Sequence, residues 1–110
     1  MKLRDFYQLL LKAGIPVAHY ETDLEERPYI IYQELSTSYL WVSGATLRED
    51  TRVEVVHLSE TEFDPSLELL KDVLLKHKLG FTVATAYDPD GKIIVNQLEV
   101  TISNEMEVQP

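Results

Sequence analysis

The sequence predicts an α+β fold: a mainly antiparallel β-sheet with two α-helices packed on one face. Three observations predict it. Residues 64–80 repeat apolar side chains at helical spacing between marked ends, and residues 3–13 carry a second helical stripe. The other apolar residues fall into short runs with two-residue alternation, separated by turn residues. Strands run consecutively instead of alternating with helices, which favours antiparallel pairing over a βαβ sheet.

The helix over 64–80 organises the rest. Asp64 suits an N-cap, Pro65 the first helical position, and Gly80 a left-handed stop. Leu67, Leu70, Val73, Leu74 and His77 share one face, while Glu68, Lys71, Asp72 and Lys76 take the other. The first helix has its stripe in Leu3, Phe6, Tyr7, Leu10 and Leu11, with Gly14 and Pro16 ending it.

Between the helices, residues 17–20 form a short strand and residues 21–27 an acid-rich connection. Residues 29–35 are strand-like with apolar groups on both faces, which predicts a strand covered on both sides. Residues 36–50 are irregular and suggest a protruding hairpin. In residues 51–58 the apolar phase slips at Val55-Val56, which predicts a bulge or a strand end buried on both faces. After the second helix, Phe81, Val83 and Tyr87 alternate with Thr82, Ala84 and Ala86. Asp88-Pro89-Asp90-Gly91 then predicts a turn with its left-handed residue at Gly91. The return strand carries Ile94, Leu98, Val100 and Ile102 on one face. Residues 1–102 therefore read as a single domain and residues 103–110, without periodicity, as a polar tail.

Composition excludes several functions. The 110 residues carry 10 basic against 19 acidic side chains, a net charge of −9, so the average surface repels phosphate backbones and sequence-specific nucleic-acid binding is not expected. With no cysteine there are no disulfides, thiol nucleophiles or thiolate metal sites. No apolar run reaches the ~20 residues of a membrane span, and Met1-Lys2-Leu3-Arg4-Asp5 lacks the apolar core of a signal peptide, so no membrane partner and a cytosolic location are expected.

No phosphate loop, nucleophile elbow or His-Glu-x-x-His pair is present. His57 beside Glu54 or Glu60 is the one acid/base candidate, weighed against a structural histidine, since near neighbours along a strand rarely converge. His77 suits a helix terminus. Asp88 and Asp90 belong to the turn, not to a calcium loop. Glu21, Asp23, Glu25 and Glu26 form an acidic loop whose default role is solvation. No catalytic residue, cofactor or metal site is expected. Trp41, in a Ser- and Gly-rich segment, is either an exposed interface anchor or a plug folded over the sheet. The candidate subunit interface is Tyr39, Leu40, Trp41 and Val42, with Arg48 and Arg52 assisting.

Three segments carry a family resemblance. Lys12-Ala13-Gly14-Ile15-Pro16-Val17-Ala18-His19-Tyr20, Arg27-Pro28-Tyr29-Ile30-Ile31-Tyr32 and Asp64-Pro65-Ser66-Leu67-Glu68 resemble the small tail completion proteins of long-tailed phages and prophages of Gram-positive bacteria, also described as tail terminator or head-to-tail joining proteins. The resemblance spans residues 9–102. One departure stands out: the family often has Glu-Leu-Tyr-Thr where this chain has His57-Leu58-Ser59-Glu60.

The resemblance implies a non-enzymatic virion subunit, assembled in the host cytoplasm as a hexameric ring of itself. It would cap the tail tube protein and face the head connector protein. A ring lined by carboxylates would let DNA pass without sticking. Another neck protein, such as a head completion subunit, and a small ligand-binding or enzymatic α+β domain are the alternatives.

Overall fold

The computed structural model describes residues 1–20, 23 and 26–108. Glu21 and Glu25 of the expected acidic loop lie outside the described residues. The elements are α1 (Leu3–Leu11), β1 (Val17–His19), β2 (Tyr29–Trp41), β3 (Thr46–Ser59), α2 (Pro65–Lys76), β4 (Phe81–Asp88) and β5 (Ile93–Glu107). They build one five-stranded sheet of order β1-β2-β3-β5-β4, in which only β1 pairs in parallel. The α+β expectation, with a mainly antiparallel sheet and both helices on one face, holds.

The core lies between the helices and that face. Phe6 and Leu10 of α1 and Leu70 and Leu74 of α2 are fully buried against Ile30, Val53, Val55, Leu98 and Val100. The register explains which strand residues meet them: Tyr32 stands opposite Val55, and Val55 opposite Leu98, so alternate residues of three strands form one continuous apolar surface. In α1 it is Leu9 that completes the buried face, while Leu11 is exposed.

The strand over 29–35 is covered on both faces only at its start. Ile30 and Tyr32 lie under the helices and Tyr29 is buried on the open side, whereas farther along that side Ile31 and Gln33 are half-buried and Leu35 is exposed. The expected irregularity at Val55-Val56 is also absent. There β3 pairs with β5 without a shift, and the bulge sits in β2 between Glu34 and Ser36. Val56 and Leu58 face the open side, half-buried, so the apolar run reflects a partly covered second face.

Both predicted helix and turn stops move by one or two residues. Asp64 caps α2, accepting the Ser66 N–H at 2.9 Å. The left-handed residue after α2 is Lys78, with φ 56°, and not Gly80. Leu79 N–H reaches Leu74 O at 3.0 Å and Lys78 N–H reaches Leu75 O at 3.0 Å, closing a Schellman turn around a lysine. The His77 ring adds a bond from Nδ1 to Val73 O at 2.9 Å, so it serves the helix end and not the buried face. Because a side chain in the left-handed region costs roughly 1 kcal/mol, Lys78→Gly is expected to raise the melting temperature of the fold. A lower melting temperature would contradict it.

In the β4–β5 turn Asp88 Oδ1 accepts from Asp90 N–H at 3.0 Å, and Lys92 takes the left-handed conformation, φ 54°. Gly91 has a different, milder constraint. A Cβ there would stand 2.9 Å from Ile93 Cδ1.

The molecule is elongated, 55 × 24 × 21 Å, because the β2–β3 hairpin continues far beyond the helices. The segment read as irregular, residues 36–50, is its regular far half, with Thr37 opposite Thr51 and Trp41 opposite Leu47. Residues 103–107, read as tail, form the end of β5 and pair with Thr46 to Asp50. The far halves of β2, β3 and β5 therefore make a three-stranded arm. It shows little apolar periodicity because no helix covers either face, and backbone pairing holds it.

Candidate assembly surfaces and the buried polar network

The arm presents two distinct faces. On the side that continues the helix-covered face lie Thr37, Tyr39 and Trp41, with Leu47 and Met106 beyond them. Trp41 is 57% exposed and Tyr39 60%, so the plug folded over the sheet does not occur. The Glu49 charge opposite Tyr39, together with a hydrogen bond to it, raises the phenol above its usual pKa. Leu40 lies on the opposite side of the arm with Arg48 and Arg52. Arg48 Nε donates to Asp50 Oδ2 at 3.1 Å and Arg52 Nε to Glu99 Oε1 at 2.7 Å. Both guanidinium groups thus already serve carboxylates of their own sheet, on the face away from Tyr39 and Trp41. Val42 opens the turn, its N–H bonded to Thr46 O at 3.0 Å.

Where the body ends and the arm begins, β1 closes over β2. His19 stacks between Tyr20 and Tyr32, with ring centroids 3.9 and 4.5 Å apart, and its Nε2 lies 2.7 Å from Glu34 Oε1. Tyr20 OH also bonds Glu34. Burial pushes the Glu34 carboxyl up, but the Tyr20 and His19 hydrogen bonds and the His19 charge outweigh it and leave the group below its usual range. Beyond Glu34, the outer edge of β2 pairs with no strand among the described residues.

The opposite edge of the sheet is β4. Every residue of it except Phe81 is exposed, and a groove of about 730 Å³ runs between it and the start of α2. Phe63, 89% exposed and held at φ 55°, stands at one wall of this groove, and Tyr87 at the other. Neither residue stands out in the sequence as an interface candidate. The seven-residue uncharged run of β4 was the legible signal.

His57 is fully buried beneath the groove and meets neither Glu54 nor Glu60. Glu54 accepts from Gln33 at 3.2 Å and Glu60 from Arg27 at 3.0 Å. Instead the ring belongs to a chain of bonds joining three strands to the cap of α2. Ser66 Oγ donates to Asp64 Oδ1 at 2.5 Å, so it accepts from His57 Nε2–H at 2.7 Å. His57 Nδ1 then accepts from Asn96 Nδ2 at 3.5 Å, and Asn96 Oδ1 accepts from Thr85 Oγ1 at 2.9 Å. The order excludes a nucleophile: the serine proton points to the aspartate, and the histidine offers it no lone pair.

Burial lowers the His57 pKa, against a smaller upward pull from the Asp64 charge. For Asp64 burial acts upward, but bonds from the Ser66 hydroxyl and N–H, with the His57 charge, bring the carboxyl below its usual value. A histidine whose folded pKa is depressed binds its proton more readily when unfolded, so its contribution is intact above about pH 6.5 and falls as pH drops below that. Asp64 adds a second loss at lower pH, as its carboxylate protonates. The unfolding free energy from urea titration is expected to decline from pH 7 to 5.5, by no more than about 1.4 kcal/mol per pH unit from the single histidine. His57→Gln should flatten the upper part of that decline. An unchanged slope in the variant would remove His57 as its source.

No family model matches the chain, and no curated protein matches it. Its fold is similar to that of a virion chain. That chain belongs to the solved structure described as "Virion of native gene transfer agent (GTA) particle"; the alignment covers 94% of this chain and 89% of that one, with a TM-score of 0.54 and 9% sequence identity. At that identity the likeness concerns the fold alone. Among the described residues no helix is long and apolar enough to cross a membrane.

Proposed function

We propose that the protein is a non-enzymatic structural subunit of a phage or prophage virion, a tail terminator or tail completion protein. It assembles in the host cytoplasm as a ring, the hexamer that the family resemblance implies, capping the tail tube protein and presenting a surface to the head connector protein. The observation that carries this reading is the bare arm. A chain of this size extends three strands beyond its own core and leaves Tyr39, Leu40, Trp41 and Val42 largely in solvent, where they contribute little to its own packing. Large exposed aromatics on a rigid scaffold are the usual anchors of protein interfaces.

Two further observations support the reading. The fold is similar to that of a chain in a gene transfer agent virion, and three sequence segments resemble tail completion proteins. The buried histidine, the one acid/base candidate, is committed to a structural chain of bonds and has no access to a substrate. The net charge of −9 suits a ring through which DNA passes, since like charges repel.

Light scattering behind size exclusion, at several protein concentrations and with purified tail tubes added, tests the proposal. A closed oligomer, or a monomer that binds tubes, supports it. A fixed monomer indifferent to tubes overturns it. Recovery with filled heads and absence from purified tails would place the subunit on the head side of the neck instead.

A further inference from the structure

Among the described residues the sheet ends in two bare edges that match each other. One is β4, residues 81–86; the other is the arm half of β2, residues 36–41, beyond the bulge. Exposed edges in soluble proteins are ordinarily blunted by charges, proline or bulges. Here neither segment contains Lys, Arg, Asp, Glu or Pro, although charged residues make up 26% of the chain. Copies carrying a net charge of −9 repel each other, so contact between them is least costly along stretches that hold no carboxylate.

We infer that β4 of one copy accepts the arm half of β2 from a second copy, extending the sheet from subunit to subunit. This rests on the ring-forming reading above and names the surfaces that meet. Strand direction allows it. β2 is antiparallel to β3, β3 to β5, and β5 to β4, so β4 runs opposite to β2. Placing a second copy beside the first in the same orientation therefore makes the new pair antiparallel and keeps all helices on one side of the joined sheet.

The faces agree as well. Aligning Trp41 with Phe81, Tyr39 with Val83 and Thr37 with Thr85 keeps those six side chains on the helix side. Leu40, Ser38 and Ser36 then match Thr82, Ala84 and Ala86 on the open side. Exposed Tyr39 meets exposed Val83, and Thr37 comes to the mouth of the groove that Phe63 and Tyr87 border.

β1 already occupies β2 at Ile30, Ile31 and Tyr32, so the neighbour can engage only farther out. Val83 lies level with Tyr32 of its own sheet, through Leu98 and Val55. Pairing it with Tyr39 offsets successive copies by about 20 Å along the strands. Each copy donates one edge and accepts another, the head-to-tail contact that closes into a ring when the rotation per copy permits.

The chain has no cysteine, so introduced ones report cleanly. Ser38→Cys and Ala84→Cys proteins, mixed and oxidised, are expected to form a disulfide between the two variants in at least tenfold excess over either self-linked dimer. Directly opposed residues of an antiparallel pair are within reach of such a bond. Ala84→Lys, at an exposed position, should keep the melting temperature and weaken assembly at least tenfold. Assembly that persists while Cys at 36, 38 or 40 fails to link to Cys at 84 overturns strand addition and leaves the virion reading standing. A chain that stays monomeric at every concentration and does not bind tail tubes overturns both.

Discussion

Phe6→Ala is expected to lower the stability of the fold by about 3–5 kcal/mol, a large share of the roughly 5–15 kcal/mol typical of a domain. The ring is fully buried where α1 lies on the sheet, and truncation leaves a cavity that a helix held at both ends cannot close. Urea unfolding with an unchanged m-value measures it. The same experiment separates two leucines that helical periodicity alone ranks wrongly. Leu9→Ala should cost about 2–5 kcal/mol, and Leu11→Ala well under that, because the first side chain is buried and the second exposed. Equal losses at the two positions would mean that α1 is rotated on the sheet.

Trp41→Ala is expected to leave the isolated fold unchanged and to weaken subunit association by about 2 kcal/mol or more, roughly a thirtyfold rise in Kd. The separation of the two effects is the point. An indole 57% exposed on an uncovered arm contributes little to its own chain, and its burial awaits a neighbour. Arg48→Ala and Arg52→Ala should change association by less than about 1 kcal/mol, since both guanidinium groups already pair within their own sheet, Arg52 with Glu99 in the open and Arg48 with a half-buried Asp50. Sedimentation or light scattering over a dilution series reads all three. Normal association of the Trp41 variant would remove the arm tip from the interface.

The two helices, the antiparallel sheet, the Asp64 cap and the β4–β5 hairpin were legible along the chain because each rests on local chemistry. An aspartate before a proline caps a helix wherever it stands, and a face repeated at helical spacing must be buried somewhere. The candidate interface at Tyr39 to Val42 stood out for the opposite reason, as large apolar side chains in a segment with no apolar face. The exact stops were less legible. Gly80 and Gly91 are the residues a left-handed turn prefers, yet Lys78 and Lys92 adopt it, because the packing of α2 and β5 decides where each turn must fall.

By itself, then, the sequence determined the layers of this protein and most of the buried face of each helix. Tertiary structure alone decided three things. It joined Asp64, Ser66, His57, Asn96 and Thr85, residues from four elements, into one chain of hydrogen bonds, whereas spacing along the strand suggested Glu54 or Glu60. It added residues 103–107 to the protruding hairpin that the sequence suggested over 36–50, making a three-stranded arm whose strands need no apolar alternation, since each satisfies its backbone on the next. And among the described residues it left β4 and the arm half of β2 without an outer neighbour, because an edge is defined by the absence of a neighbouring strand, a property of the whole sheet that no single segment carries.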